Sequence, residues 1–210
     1  KLYEQGKYVL AKPYFEVYLK QSHEFDANHL KTLEYLGDIE VRDKSWDNAI
    51  LYYEKLKKLK PAEANYYYKY GAALGMKAKD CNRFTAFGMI GDVRSSFEKA
   101  IALNPKHLEA RWALIEMYLH LPAIVGGSEK KAARFANELA KLSPIDGYLS
   151  KGHIAEYYER FPEAEKQYRK AIELGHSKKS YQKLADLYKN KMHQPEKAKA
   201  VLEEFERIKK

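Results

Sequence analysis

Apolar residues recur at i, i+3, i+4 and i+7 along nearly the whole chain, the spacing that lines one face of an α-helix. The pattern breaks at regular places, so it predicts a series of short amphipathic helices. The helix ends copy one another. Phe-Glu-Lys-Ala-Ile-Ala-Leu-Asn-Pro at 97–105 and Tyr-Arg-Lys-Ala-Ile-Glu-Leu-Gly at 168–175 are near copies, and Tyr53 to Pro61 and Phe15 to His23 follow the same outline. A small residue lies upstream of the second helix ends: Ala11, Ala49, Ala132, Ala164 and Ala198. Leu36-Gly37, Tyr70-Gly71 and Lys151-Gly152 open units. A fixed period of this kind marks a repeat architecture, in which one helix pair cannot bury its own stripe and neighbours must stack.

These residues resemble the tetratricopeptide repeat, with its pattern W-x2-L-G-x2-Y, then A-x3-F, then P, over ~34 residues. The second unit carries Leu36, Gly37, Ala49, Tyr53 and Pro61; the fourth Leu114, Tyr118, Ala132 and Pro144; the fifth Gly152, Ala164, Tyr168 and Ala171; the last Leu184, Ala185, Tyr188 and Ala198. The resemblance implies an all-α, right-handed superhelical solenoid of helix-turn-helix repeats. One domain over 1–210 is expected, with about five full repeats (26–61, 62–105, 106–144, 145–176 and 177–210) after a truncated first one at 1–23. The first residues read as the middle of a repeat, so further chain is expected before Lys1. Pro162 and Pro195 suit the first turn of a second helix. Pro61, Pro105 and Pro144 suit breaks between units. Pro13 is tolerable only if its helix begins within about four residues.

The closing positions His23, Pro61, Pro105, Pro144 and His176 lie 38, 44, 39 and 32 residues apart. The third and fourth units therefore carry insertions, near 79–92 and 120–128, between their two helices. A tall hairpin is expected in the third unit. Phe84, Phe87, Met89 and Ile90 in one segment and Leu121, Ile124 and Val125 in the other make both apolar. Two readings stand: the segments cover each other as a satellite core, or Phe84, Phe87, Ile124 and Val125 form a lip for a partner. Ser128 reads as an N-cap for a helix from Glu129, whose free N–H groups beside Lys130 and Lys131 could instead hold an anion. The run Leu121-Pro122-Ala123-Ile124-Val125-Gly126-Gly127-Ser128, with Lys77-Ala78-Lys79 and Phe97-Glu98-Lys99-Ala100, also resembles the regulator of microtubule dynamics group and its bacterial relatives. That resemblance implies a scaffold and no chemistry.

The first helix of each repeat lines the concave face in this family. The register then turns Lys31, Glu34, Asp38 and Arg42, Tyr68 and Met76, Glu109, Trp112, Glu116 and His120, Leu149, His153, Glu156 and Tyr157, and Gln182, Asp186 and Lys189 inward. Trp112 falls one place after the slot that usually packs a Trp, held here by Arg111. One step turns a helical side chain by about 100°, which swings Trp112 toward the groove; a slipped register would return it to the core. Tyr68, Met76, Trp112, Glu116, His120, His153 and Tyr157 are the candidate partner-binding residues. Lys and Asn clamp a C-terminal carboxylate in chaperone-tail receptors of the family. Glu34 and Asp38 stand in those places here, which argues against that activity.

Charge adds an alternative. The 38 Lys and Arg exceed the 29 Asp and Glu, giving +9, so an electrostatic binder of nucleic acid or acidic surfaces is a competing reading. Against it, the lysines are spread among glutamates, as on solvated helix faces. The partner expected is a protein or peptide, with oligomeric state left open. No stretch approaches the ~20 apolar residues of a membrane span. Catalytic chemistry finds little support. Lone Cys81 has no base and oriented partner. The H-E-x-x-H zinc spacing fails because Ala27 stands where the second His is required. No Gly-rich phosphate loop occurs, and no cofactor is expected. His120, His153 and Glu116 could meet as a zinc site, but no spacing within a helix supports ligation, so no metal is expected. A regulatory role within a larger enzyme is a further alternative.

Overall fold

A computed structural model describes residues 2–24 and 26–208. Eleven α-helices and no strand occur among them: α1 (Tyr8–Gln21), α2 (Ala27–Arg42), α3 (Trp46–Leu59), α4 (Ala64–Asp80), α5 (Arg83–Leu103), α6 (Leu108–His120), α7 (Glu129–Leu142), α8 (Pro144–Tyr157), α9 (Phe161–Gly175), α10 (Lys178–Asp186) and α11 (Pro195–Ile208). Their starts follow from capping chemistry, in which a side-chain oxygen accepts an otherwise unpaired N–H of the first turn. Asp26, Asn82, Ser128, Ser143 and Ser177 cap α2, α5, α7, α8 and α10 in this way. Pro144, Pro162 and Pro195 fall at the first or second helical position, where no N–H is missed. Pro144 therefore begins α8 directly after the cap it shares with the end of α7. Pro13 sits deeper than expected, five residues past the start of α1. It leaves the Val9 carbonyl without its helical donor, and α1 contributes one buried residue, Ala11.

The chain divides into two compact units, residues 1–110 and 111–210, with the division falling inside α6. In the first, α1 to α5 each pack on the next helix in chain order, around Leu30, Leu33, Ala49, Tyr53, Leu56 and Ala73. In the second, α7 to α11 do the same, around Tyr168, Ile172, Tyr181, Leu184, Leu187 and Tyr188. After α10 the winding widens to one π-helical stretch, Leu187–Lys191, that buries Leu187 and Tyr188.

One contact is built twice, once in each unit. A Cβ on Gly37 would stand 2.5 Å from the Tyr53 ring, and one on Gly152 2.4 Å from the Tyr168 ring. Only glycine lets the ring lie flat across the facing backbone. Each ring then reaches a carboxylate on the glycine's helix: Tyr53 donates its hydroxyl to Asp38 Oδ1 at 2.7 Å, and Tyr168 to Glu156 Oε2 at 2.6 Å. Burial, reinforced by the accepting carboxylate, pushes both phenols well above the ordinary tyrosine range.

The extra residues of the third repeat lengthen both of its helices. The α4 helix has 17 residues and α5 has 21, with only Cys81 and Asn82 between them. Phe84 is 93% exposed, Phe87 62% and Ile124 95%, so these three are not covered as a satellite core would require; Val125 is half-buried. The loop before α7 is wound by its glycines. Gly126 has φ +103°, and a Cβ on Gly127 would strike the Leu121 carbonyl oxygen at 1.8 Å. The Gly127 and Ser128 N–H groups bond the carbonyls of Pro122 and Tyr118. Ser128 Oγ accepts from Lys131 N–H, and the Lys131 ammonium lies over the Tyr118 ring. That helix start is thus occupied by its own cap and loop.

Candidate functional site

The second unit gathers Trp112, Glu116, His120, His153 and Tyr157 on the facing sides of α6 and α8. Arg111 and Trp112 diverge as the helical step requires. Arg111 is buried, with Nε 3.1 Å from Glu138 Oε2 on α7. Trp112 points to α8 instead, half-buried against the edge of the second-unit core. Its indole Nε1–H donates to Asp146 Oδ1 at 3.0 Å.

Asp146 is held on both sides. Ser143 Oγ donates to Oδ2 at 2.7 Å, and Ser143 Oγ in turn accepts from the Asp146 N–H, closing a reciprocal cap. Lys179, on α10, brings its ammonium 3.4 Å from Oδ1 and 5.1 Å from the Trp112 ring centroid. Burial works to raise the Asp146 pKa. The Ser143 and Trp112 hydrogen bonds and the Lys179 charge outweigh it, so the carboxyl sits below the usual aspartate value.

One turn along α6, Glu116 lies between two imidazoles. His153 Nε2 is 2.8 Å from Oε1, off the line of a good hydrogen bond, and His120 Nε2 is 3.2 Å from Oε2. His153 Nδ1 is enclosed without a hydrogen-bond partner. Burial raises the Glu116 pKa, but the His153 contact, with His120 and Lys183 beyond it, prevails and holds it below the ordinary glutamate value. Tyr157 meets His120 edge-on at 5.2 Å. No group of three or more His, Cys, Asp or Glu among the described residues is arranged to hold a metal ion.

One expected inward residue is corrected. Leu149 is 1% exposed, within the second-unit core. Inward and core faces of α8 are one step apart, and Leu149 takes the core side.

In the first unit, Tyr68 packs against Phe97 at 6.0 Å and His107 at 5.1 Å, beside a cleft also lined by Asn65, Asn104 and Lys106. Met76 is exposed, further along α4. Glu34 and Asp38 face a cation that sequence reasoning missed: Lys69 Nζ lies 2.7 Å from each. Asp146, Lys179 and Lys183 were missed as well. The signal available for Asp146 was its place three residues after Ser143, which reads as capping alone. A concavity of about 990 Å3 lies apart from all of these, along Ala185, Lys189, Ala198 and Leu202. It is the open side of the last helix pair, and the expected inward residues Gln182, Asp186 and Lys189 line it together with Lys199, Glu203, Glu206 and Arg207.

No protein-family model matches the chain, and no curated protein matches it. Solved structures do. TTC0263, a thermophilic TPR protein of Thermus thermophilus, is 19% identical over 96% of this chain and 93% of its own, with a TM-score of 0.65. A tetratricopeptide repeat protein from Parabacteroides merdae is 16% identical over 97% of this chain and 74% of its own, with a TM-score of 0.65. The human IFIT1 dimer with m7Gppp-AAAA is 19% identical over 99% of this chain, with a TM-score of 0.64; the chain spans about half, 52%, of that protein. Identities this low speak to fold. Joined to the sequential helix packing and the twice-built glycine–tyrosine contact, they show that the chain has the tetratricopeptide repeat fold.

Proposed function

We propose that the chain is a non-catalytic scaffold that binds a protein or peptide partner on the facing sides of α6 and α8. The observation that supports this most is the half-buried Trp112, flanked along one face by Glu116, His120, His153 and Tyr157. Aromatic anchors among a few oriented polar groups are what a peptide groove offers. Tyr68 and Met76 are candidate contacts in the first unit, and the exposed Phe84, Phe87 and Ile124, with half-buried Val125, are candidate lip contacts. The test is capture from lysate at low and high salt, comparing wild type with Trp112→Ala plus Tyr157→Ala. A protein retained at both salt levels and lost by the double variant supports the groove.

Nucleic-acid binding through the net charge is the competing reading, and the salt arm decides it. Retained nucleic acid that salt releases and the double variant still holds would replace the groove. Two lysines of the basic run Lys55, Lys57, Lys58 and Lys60 already engage their own surroundings. Lys57 sits over the Tyr70 ring with its pKa lowered by burial, and Lys58 pairs with Glu54.

A further inference from the structure

We infer that the Trp112–Asp146 pair is a receptor for one cationic side chain of the partner, arginine above all, and that Lys179 is its tethered occupant in the free protein. The inference deepens the groove reading and rests on it. It starts from the way the carboxylate is fixed. Apart from Lys179 Nζ, 3.4 Å from Oδ1, one donor holds each oxygen, Ser143 Oγ on Oδ2 and Trp112 Nε1 on Oδ1. A carboxylate oxygen has two lone pairs, so each keeps one acceptor site after those bonds are made. The Trp112 ring stands beside that carboxylate, tied to it by its own N–H. A rigid anion next to an aromatic face selects a cation.

The occupant present shows the same preference. Lys179 Nζ sits over the Trp112 ring and beside Asp146 at once. It does so against the field of its own helix. Lys179 lies in the first turn of α10, which holds no acidic residue, and a helix N-terminus disfavours positive charge. The hold is loose: the 3.4 Å approach is longer than a charge-assisted hydrogen bond of ~2.8 Å, and the side chain is 59% exposed. Lys179 can therefore swing out when a better cation arrives. A guanidinium is better on both counts, since it stacks flat on an indole and its fork can reach the open sites on both oxygens. Lys183, one turn further along α10, adds its charge to Glu116, so lysines of α10 screen both carboxylates of this face.

The experiment uses Trp46→Phe protein, which leaves Trp112 as the sole tryptophan of the two in the chain. Its emission is followed while acetyl-Gly-Arg-Gly-amide is added, with the citrulline peptide as the neutral isostere. Lys179→Met removes the tethered charge and keeps an apolar stem. The expected result is a saturable response to the arginine peptide that is about threefold tighter in Lys179→Met than with Lys179 in place, because an occupied site binds in proportion to its free fraction and an exposed pair holds only weakly. Citrulline should give no saturable response. Equal responses to arginine and citrulline, or none in Lys179→Met, would overturn the receptor. Asp146→Asn added to Lys179→Met should abolish the response; if that variant does not fold, the citrulline arm decides alone. Capture of a partner that depends on Trp112, without any arginine response, sinks the receptor and leaves the groove. An arginine response in a protein whose captured material ignores Trp112 and Tyr157 sinks the groove and with it the receptor for a partner's side chain, leaving a cation site that the partner does not use.

Discussion

Two kinds of glycine occupy this chain, and substitution should separate them. Gly88 and Gly91 lie within α5 with open space where a Cβ would stand, while Gly152 faces the Tyr168 ring at 2.4 Å. Gly88→Ala should stabilise by about 0.5–1 kcal/mol through the entropy of the unfolded chain. Gly152→Ala should destabilise by about 2 kcal/mol, because the ring is buried and cannot retreat. Urea denaturation of the two variants reads both signs; a neutral Gly152→Ala would mean the ring does not press on the backbone. Asp146 makes a second residue-scale prediction. Its pKa is depressed in the fold, so its stabilisation is present above the ordinary aspartate value of about 3.9 and is lost as pH falls through the lower folded value. The melting temperature of wild type should exceed that of Asp146→Asn near pH 6, and the gap should close once the pH has fallen below the depressed folded value. A gap that stays constant with pH would show that the charge of Asp146 is not what the site uses. The sequence made Trp112 and its one-step offset from Arg111 legible, since both belong to a single helix. It hid Lys179, because nothing local brings a residue from the next repeat over that ring.

At the scale of the element, helix existence was legible because the apolar spacing recurs and several helices start at a capping side chain or a proline. Ser128, Pro162 and Pro195 mark starts by chemistry that needs no tertiary contact. What the stripe could not show is which apolar residues find cover. Phe84, Phe87 and Ile124 fit a satellite core or an open lip equally in sequence, and they are exposed. Phe84→Ser with Phe87→Ser should therefore shift stability by less than about 1 kcal/mol, whereas burial would cost several. Thermal denaturation decides, and a large loss would put these rings back into a core. The α1 helix is the opposite case, an element with regular spacing and little to hold it. Val9, Leu10, Tyr14 and Val17 are exposed, only Ala11 is buried, and Pro13 interrupts the bonding. Hydrogen exchange should find α1 opening well before α2 to α4, at a small fraction of their free energy. Equal protection along all four helices would contradict this.

Across the whole molecule, period carried the fold class and pairwise contacts carried the division into units. The repeat was visible because Gly37 with Tyr53 and Gly152 with Tyr168 are one solution written twice in sequence. The split at Ala110 and Arg111 was not visible, since it depends on how densely contacts gather and falls inside a helix with continuous apolar spacing. Repeat arrays are held by nearest-neighbour terms, so damage in one part need not unfold another. Each compact unit holds one of the two tryptophans, Trp46 in the first and Trp112 in the second. Trp112→Phe leaves Trp46 to report the first unit, and Trp46→Phe leaves Trp112 to report the second. Adding Gly152→Ala to each background should lower the urea midpoint read by Trp112 and leave the midpoint read by Trp46 in place. The comparison is made within each background, so the loss of an indole cancels. If both midpoints fall together, the chain unfolds as one cooperative body, and the twice-built glycine–tyrosine contact stabilises the whole array through either copy.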